Sequence, residues 1–190
     1  MLVQLKGFSY ICRHKTSSME NTEIERKYLL LNDTYRGLAT EKHHIIQGFI
    51  SRGGGRVVRV RLIDNKGFLT IKAPISDQQR LAHFEWEKEI TPQDAQALLV
   101  YCLPSKIEKI RYIVPMGELK VEIDEFLGLN QGLVMAEVEL PQEEYQFQKP
   151  DFLGEEVTKD KRYYNSYLSE HPYKEWEHCT HIKMEKLNPM

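Results

Sequence analysis

Polar and apolar side chains alternate at a period of two through most of the chain, a pattern that predicts β-strands. In the first such stretch Glu23, Glu25 and Lys27 fall on one face, and Ile24 and Tyr28 fall on the other. The same alternation recurs in the segments HHIIQGFIS, RVVRVRLID, FLTIK, HFEWEKEI, KIEKIRYIV, ELKVEIDEF and GLVMAEVEL. The pattern therefore predicts about eight strands.

Helical signals are fewer. In TPQDAQALLVYC, Thr91 is a suitable N-cap and Pro92 suits the first helical position, which predicts a helix of about three turns. Short helices are also predicted in PQEEYQF, beginning at Pro141, and in DKRYYNSYLSEHPY, whereas NDTYRG, RGGG and DNKG are predicted as turns. The predicted fold class is mainly β (α+β), with a few peripheral helices.

The pattern indicates one domain. We predict an N-terminal extension over residues 1–20, a folded domain over residues 21–173 and a polar C-terminal tail over residues 174–190. The extension is either a short leader or sequence upstream of a natural start at Met19, and we favour the second interpretation because the first strand begins soon after it.

Composition narrows the class of protein. The 190 residues are 41% hydrophobic and 28% charged, which is typical of a soluble globular chain. The 26 basic and 28 acidic residues nearly cancel, so neither a nucleic-acid partner nor a membrane surface is favoured. Three widely spaced cysteines argue against a disulfide framework, and no apolar run could span a bilayer. We therefore expect a cytoplasmic protein with no membrane partner.

The charges on the polar faces are sorted by strand. Several strands carry two ionisable side chains two residues apart, and both have the same sign. The acidic pairs are Glu85 and Glu87, Glu122 and Asp124, and Glu137 and Glu139, and the basic pairs are Arg59 and Arg61, and Lys109 and Arg111. Solvated faces with cross-strand ion pairs, at roughly 0.2–1 kcal/mol each, would not need this sorting.

Eight strands are enough to close a barrel that holds one small ligand. If the charged faces point inward, something must neutralise them, because unpaired buried ions would cost more than the net stability of a domain. A metal-bound polyanion would do so, since carboxylates suit Mg²⁺ or Mn²⁺ while Arg and Lys bind phosphoryl oxygens.

The motif EIERK fits the E-x-E-x-K signature of the CYTH superfamily, also called the triphosphate tunnel metalloenzymes. The resemblance continues in the family's order through QGF, VRVR, LTIK, EKIRY, VEIDEF, AEVEL and GEEVTKDKRYYNSYL, from Glu23 to Tyr173. The chain is most similar to the small bacterial single-domain inorganic tripolyphosphatases. The resemblance implies a closed antiparallel barrel of about eight strands that forms a charged tunnel, and a divalent cation, Mg²⁺ or Mn²⁺.

The resemblance also implies roles for individual residues. The metal would be held by Glu23, Glu25, Glu137 and Glu139. The phosphate chain would be bound by Lys27, Arg59, Arg61, Lys72, Lys109 and Arg111. Catalysis would involve Lys27, Glu85 and Glu87, and either a second metal or the attacking water would be held by Glu122 and Asp124.

We therefore expect a metal-activated water to hydrolyse a small-molecule triphosphate, first of all inorganic tripolyphosphate, to pyrophosphate and phosphate. A class IV-type adenylyl cyclase and a thiamine triphosphatase remain open as alternatives, as does a non-catalytic sensor of polyphosphate or nucleotide. The oligomeric state, monomer or homodimer, is also open.

Other chemical signals are weaker. His43 and His44 would face opposite sides of a strand, so a shared metal ion is not expected. His178 and His181 flank Cys179 in the tail, but no fourth zinc ligand is near them in sequence. RGGG lacks the Lys-Ser/Thr and the strand-to-helix context of a P-loop, and a hairpin turn is the better interpretation.

Overall fold

The computed structural model describes residues 21–75 and 82–176, and these form a single antiparallel sheet. Its strands are β1 (Thr22–Leu30), β2 (Glu41–Gly53), β3 (Arg56–Ile63), β4 (Lys66–Pro74), β5 (Ala82–Ile90), β6 (Ile107–Met116), β7 (Leu119–Phe126), β8 (Val134–Glu139) and β9 (Leu153–Glu156). The strand order is β5-β4-β3-β2-β6-β7-β8-β1-β9, and a further pairing joins β5 to β1. The first eight strands therefore close into a barrel, which confirms the predicted fold class.

Strand β1 carries the seam of this barrel. One of its edges pairs with β8 from Glu25 to Leu29. The other pairs first with β5, where Thr22 lies opposite Phe84, and later with β9, where Leu30 lies opposite Leu153. Strand β9 lies outside the closed barrel and was not predicted, because its four residues show no clear alternation.

Two tight turns form where the sequence indicated hairpins. Between β2 and β3, Gly54 and Gly55 have φ values of 55° and 76°, a backbone region that favours glycine. Between β3 and β4, Asp64 has a φ of 50°, and its carboxylate accepts a hydrogen bond of 2.9 Å from the His44 N–H. The side chain thus stabilises a turn that is otherwise unfavourable for a residue with a Cβ.

Three α-helices in the described part of the chain lie outside the sheet: α1 (Tyr35–Leu38), α2 (Pro92–Val100) and α3 (Asn165–Leu168). The predicted cap of α2 is present, because the Thr91 hydroxyl accepts a hydrogen bond of 3.0 Å from the Asp94 N–H. Most of α1 lies within NDTYRG, which the sequence predicted as a turn. The predicted DKRYYNSYLSEHPY helix is divided into a 3₁₀ turn (Lys161–Tyr163) and α3. No helix in the described ranges is long and apolar enough to cross a bilayer.

The helix predicted to begin at Pro141 was wrong. The segment is irregular there, and both Tyr145 and Phe147 pack against the apolar outer wall of the barrel. The ring of Phe147 lies edge-on to Tyr28, with the two centroids 6.3 Å apart. Two apolar side chains spaced two residues apart reach the same surface from an extended chain, so packing overrides the helical start signal.

Apolar residues cover the outside of the barrel on two sides. The larger cluster joins the outer faces of β1, β6, β7 and β8 to α1 and the segment before β9, and it includes Tyr28, Tyr35, Ile123 and Phe152. A smaller cluster places Ala95 and Leu99 of α2 against Val60 of β3. Because these two clusters place the hydrophobic core outside the barrel, the inner faces of the strands can carry charged side chains.

One end of the interior is nevertheless apolar. We call this cluster the apolar plug, and it consists of Phe49, Ile107, Phe126, Leu133, Met135 and Leu168. Ile107, Phe126 and Met135 each stand two residues from a charged inward position on the same strand, so they extend the same inward faces. The charged interior is therefore confined to part of the barrel's length.

Candidate active site

The barrel encloses a cavity of about 1050 Å³. Every residue that the sequence analysis assigned to the site lines this cavity, with the exception of Asp124. The walls differ in sign because each strand contributes its own pair of charges. The cavity is thus a charged chamber in which acids and bases from separate strands face one another.

The acidic wall of the cavity is formed by β1 and β8, which carry Glu23, Glu25, Glu137 and Glu139, and Lys27 lies among these carboxylates. It is 5% exposed, and its ammonium group binds Glu137 and, at 2.9 Å, Glu25. Lys27 and Glu137 are register partners on β1 and β8, and Glu25 and Glu139 are the next inward pair. Burial alone would raise the pKa of Glu25, but Lys27 and Lys72 hold it at about 2. The ammonium groups that lie between these carboxylates therefore keep Glu25 ionised.

Glu23 is the most crowded of these acids. Burial and then the neighbouring Glu25 carboxylate raise the pKa of Glu23 to about 7, although Lys72 opposes the shift. The Lys72 ammonium group binds Glu23 and lies 3.5 Å from Glu25 and 3.7 Å from Glu85. Lys72 is thus shared among three carboxylates, of which Glu25 is also bound by Lys27 and Glu85 by Arg59.

The ligand chemistry of this wall fits a divalent cation of the oxygen-preferring kind, because the potential ligand atoms that converge there are carboxylate oxygens. In the described residues, no three acidic, histidine or cysteine side chains are arranged to hold a metal ion. The ammonium groups of Lys27 and Lys72 occupy the space between the carboxylates instead. A metal would have to replace ammonium contacts, which is a rearrangement of side chains only.

The facing wall on β3 is basic. Arg59 lies 3.3 Å from Glu85, and Arg61 binds Glu87, whose carboxylate also accepts a hydrogen bond of 2.6 Å from the Thr70 hydroxyl. Register pairing explains these contacts, since Thr70 lies opposite both Arg59 and Glu87. The Nε atoms of both arginines are buried and have no hydrogen-bond partner. This wall therefore keeps donors available for an anion.

Strand β6 adds two further cations. Arg111 binds Glu122 and also, at 2.9 Å, Glu137, which links it to the acidic wall. Lys109 is 2% exposed. Burial and then the nearby Arg111 lower the pKa of Lys109 to about 8, against the opposing effect of Asp124. Arg111 and Lys109 bring positive charge close to the proposed metal ligands.

The cavity also includes polar residues that the sequence analysis missed. Arg52 lines it and forms an ion pair of 2.8 Å with Glu170, next to α3. Strict alternation from Phe49 would turn Arg52 outward, but the register of β2 shifts between Phe49 and Ser51. A bulge moves every following side chain to the other face, so Arg52 points inward. The sequence gives no clear signal of such a bulge.

The weaker histidine signals separate as expected. His43 lines the cavity, where its ring nitrogens lie 2.7 Å from Asp64 and 3.0 Å from Glu41. His44 instead pairs with Glu108 at 2.8 Å. The two imidazoles therefore have different carboxylate partners, as expected for neighbouring residues of a strand. The tail residues 178–181 lie outside the described residues, so the expectation that they form no zinc site stays a prediction.

Comparisons with known proteins agree with this geometry. A family model described as the CYTH domain matches residues 21–167. An inorganic triphosphatase of Acetivibrio thermocellus is 44% identical over 156 residues, which cover 82% of this chain and 97% of that protein. An inorganic triphosphatase of Nitrosomonas europaea is 32% identical over 153 residues, which cover 78% of this chain and 97% of that protein.

A solved structure gives the same picture. The crystal structure of an inorganic triphosphatase matches with a TM-score of 0.55 and 29% sequence identity, over 77% of this chain and 93% of that one. The matches extend over nearly the full length of each relative. They confirm the resemblance that the motifs indicated.

Proposed function

Because the chain belongs to the CYTH family, we propose that it hydrolyses inorganic tripolyphosphate to pyrophosphate and phosphate, with the help of a divalent cation. Both relatives are named inorganic triphosphatases, and the one with 44% identity matches 82% of this chain. The activity agrees with the prediction from sequence, in which hydrolysis took precedence over cyclisation of ATP.

The observation that carries the proposal is the pairing of two opposite walls inside one cavity. Carboxylates of β1 and β8 face guanidinium and ammonium groups of β3, β4 and β6, and these groups are largely buried except for Glu139, which is exposed. Two arginine Nε donors on β3 remain without partners. A linear polyanion together with a metal ion satisfies both walls at once, whereas a neutral ligand satisfies neither.

The proposed metal ligands are Glu23, Glu25, Glu137 and Glu139. A divalent cation bound there would neutralise charge on the phosphate chain and lower the pKa of a bound water molecule. Mg²⁺ and Mn²⁺ both suit a set of carboxylate oxygens. We propose that either ion can serve.

We propose that the phosphoryl oxygens are bound by Arg59, Arg61, Lys72, Lys109 and Arg111. Arginine offers several donors in a fixed plane, so Arg59 and Arg61 would hold a phosphoryl group in one orientation. As the terminal P–O bond breaks, these fixed charges stabilise the negative charge that moves onto the departing pyrophosphate. No nucleophilic side chain is needed for this chemistry.

We propose that Lys27 orients the attacking water. Its ammonium group donates to carboxylates of the metal site and lies next to the cavity. Glu85 and Glu87 are the proposed acceptors of the water's proton, and they also hold Arg59 and Arg61 in place. Charge neutralisation and positioning together account for the proposed catalysis.

The test measures release of phosphate and pyrophosphate by purified protein from tripolyphosphate, ATP and thiamine triphosphate in parallel, with Mg²⁺, Mn²⁺ or EDTA. Release of both products from tripolyphosphate that depends on the cation is expected. Pyrophosphate from ATP without free phosphate would instead indicate a cyclase. Binding of tripolyphosphate with no turnover under any of these conditions would overturn the enzymatic proposal in favour of a sensor.

A further inference from the structure

Asp124 differs from every other acid of the site. It lies on β7, is 0% exposed and does not line the cavity, whereas Glu122, two residues earlier on the same inward face, does. Its register partner on the neighbouring strand β8 is Met135 of the apolar plug. Asp124 therefore lies behind the cavity wall, where the charged interior meets the plug.

Both oxygens of this carboxylate already have cationic partners. Oδ1 accepts a hydrogen bond of 2.7 Å from Arg111 Nε, and Oδ2 accepts one of 2.6 Å from Arg111 Nη2. Oδ2 also accepts a hydrogen bond from Lys109 Nζ. The guanidinium is thus held through two parallel bonds, the geometry that fixes its plane most firmly.

We propose that Asp124 is a positioning residue that holds Lys109 and Arg111 in the orientation that the phosphate chain requires, and that it binds neither a metal ion nor the attacking water. This inference rests on the proposed function. It replaces the role that the family resemblance implied for Asp124.

The contacts of Arg111 show how this would work. Its bonds to Glu122 and Glu137 lie at the cavity, because both of those acids line it. A phosphoryl oxygen can take over these bonds, whereas the two bonds to Asp124 are behind the wall and out of its reach. Asp124 therefore keeps the guanidinium in place while its cavity-side partners change.

Lys109 depends on Asp124 still more strongly. Asp124 is the acid to which its ammonium group is hydrogen bonded, and the ammonium also lies 5.5 Å from the centre of the Phe126 ring. A lysine side chain has high rotamer entropy, so an unbound ammonium group would sample many positions. A buried carboxylate that binds it before substrate arrives removes most of that cost from the binding step.

The test is a double-mutant cycle on substrate binding. Asp124→Asn, Lys109→Met and the double variant are titrated with tripolyphosphate by calorimetry in EDTA, and KM and kcat are measured with Mg²⁺. If Asp124 acts through Lys109, Asp124→Asn should weaken binding of tripolyphosphate at least tenfold. The double variant should then bind at least threefold more tightly than expected from multiplying the losses of the two single variants. The matched control is Glu125→Gln, since Glu125 lies on the outer face of the same strand and pairs with Arg36 at 2.8 Å.

The outcomes separate the two roles. A metal ligand would lose activation by Mg²⁺ while keeping its affinity for tripolyphosphate in EDTA, and that result would overturn the inference. The inference would also be overturned if the affinity losses of the two single variants simply multiplied in the double variant, or if Asp124→Asn bound tripolyphosphate within twofold of wild type. If Asp124→Asn does not fold, the double variant carries the test, because it lacks the unpaired ammonium. Binding in EDTA that is weaker than that of Lys109→Met supports the inference, because Arg111 then also loses its anchor. Binding equal to that of Lys109→Met opposes it.

This experiment is independent of turnover. If the wild-type protein binds tripolyphosphate but hydrolyses none, the proposed function fails, yet the cycle in EDTA still decides the role of Asp124. If the wild-type protein hydrolyses tripolyphosphate and the cycle shows no coupling, only the inference about Asp124 fails.

Discussion

Replacing Lys27 with methionine should make the stability of the fold depend on a divalent cation. Methionine keeps most of the side-chain volume and removes the charge. The ammonium group now binds Glu25 and Glu137, whose side chains are 17% and 12% exposed. Without it, Glu25 keeps Lys72 as a cationic partner, and Glu137 keeps Arg111 and the nearby Lys109.

The size of the effect follows from the burial of this group. Breaking a buried ion pair by removing one partner costs about 3–5 kcal/mol. In a protein of this size, 1 kcal/mol corresponds to a change in Tm of about 2–4 °C, so Lys27→Met should unfold about 6–20 °C below wild type in EDTA. A cation at a concentration one hundred times its Kd would return about 2.7 kcal/mol.

The assay is thermal unfolding followed by circular dichroism, with EDTA and with Mg²⁺. Mg²⁺ should raise the Tm of Lys27→Met more than that of wild type, because in the variant it need not displace an ammonium group. The control is Lys42→Met, since Lys42 is exposed and lies over the ring of Tyr112 on the outer face. A Tm within about 2 °C of wild type in EDTA, or equal gains with Mg²⁺, would refute the argument.

Three further predictions follow from the site. Glu23→Gln should abolish hydrolysis that depends on the cation and leave the circular dichroism spectrum unchanged; wild-type turnover would remove Glu23 from the metal site. Arg59→Ala should reduce kcat/KM for tripolyphosphate at least tenfold, with Arg36→Ala, an exposed arginine outside the barrel, as the control. Burial opposes the effect of Asp64 and Glu41 on His43, but its pKa is raised overall. This pairing therefore stabilises the fold below pH about 6.5 and is lost as pH rises through the raised value. Calorimetry should show that His43→Gln lowers Tm at pH 5.5 but not at pH 8.5.

The strands and their faces could be predicted because the period of two is a local property. Glu23, Glu25 and Lys27 share a face in any strand that contains them, whatever lies beside it. The two hairpin turns and the cap at Thr91 are equally local. Charge sorting by strand then indicated a shared interior, and the structure places all but one of the predicted residues around one cavity.

Other features depended on contacts between distant parts of the chain. Strand β9 exists because β5 leaves an edge of β1 open, and the segment after Pro141 is irregular because the outer wall offers Tyr145 and Phe147 a surface. The bulge in β2 turns Arg52 into the cavity. None of these has a local signal strong enough to predict it.

The sequence by itself determined which side chains share a face and which sign of charge each strand carries, because alternation along a strand needs no partner. Only the tertiary structure decided how deep each charge lies. Asp124 and Glu122 are equivalent in the pattern, yet Asp124 lies behind the wall beside the apolar plug and Glu122 lines the cavity. Depth depends on barrel closure and on residues far away in the chain, and it separates an acid that lines the cavity from one that lies behind its wall.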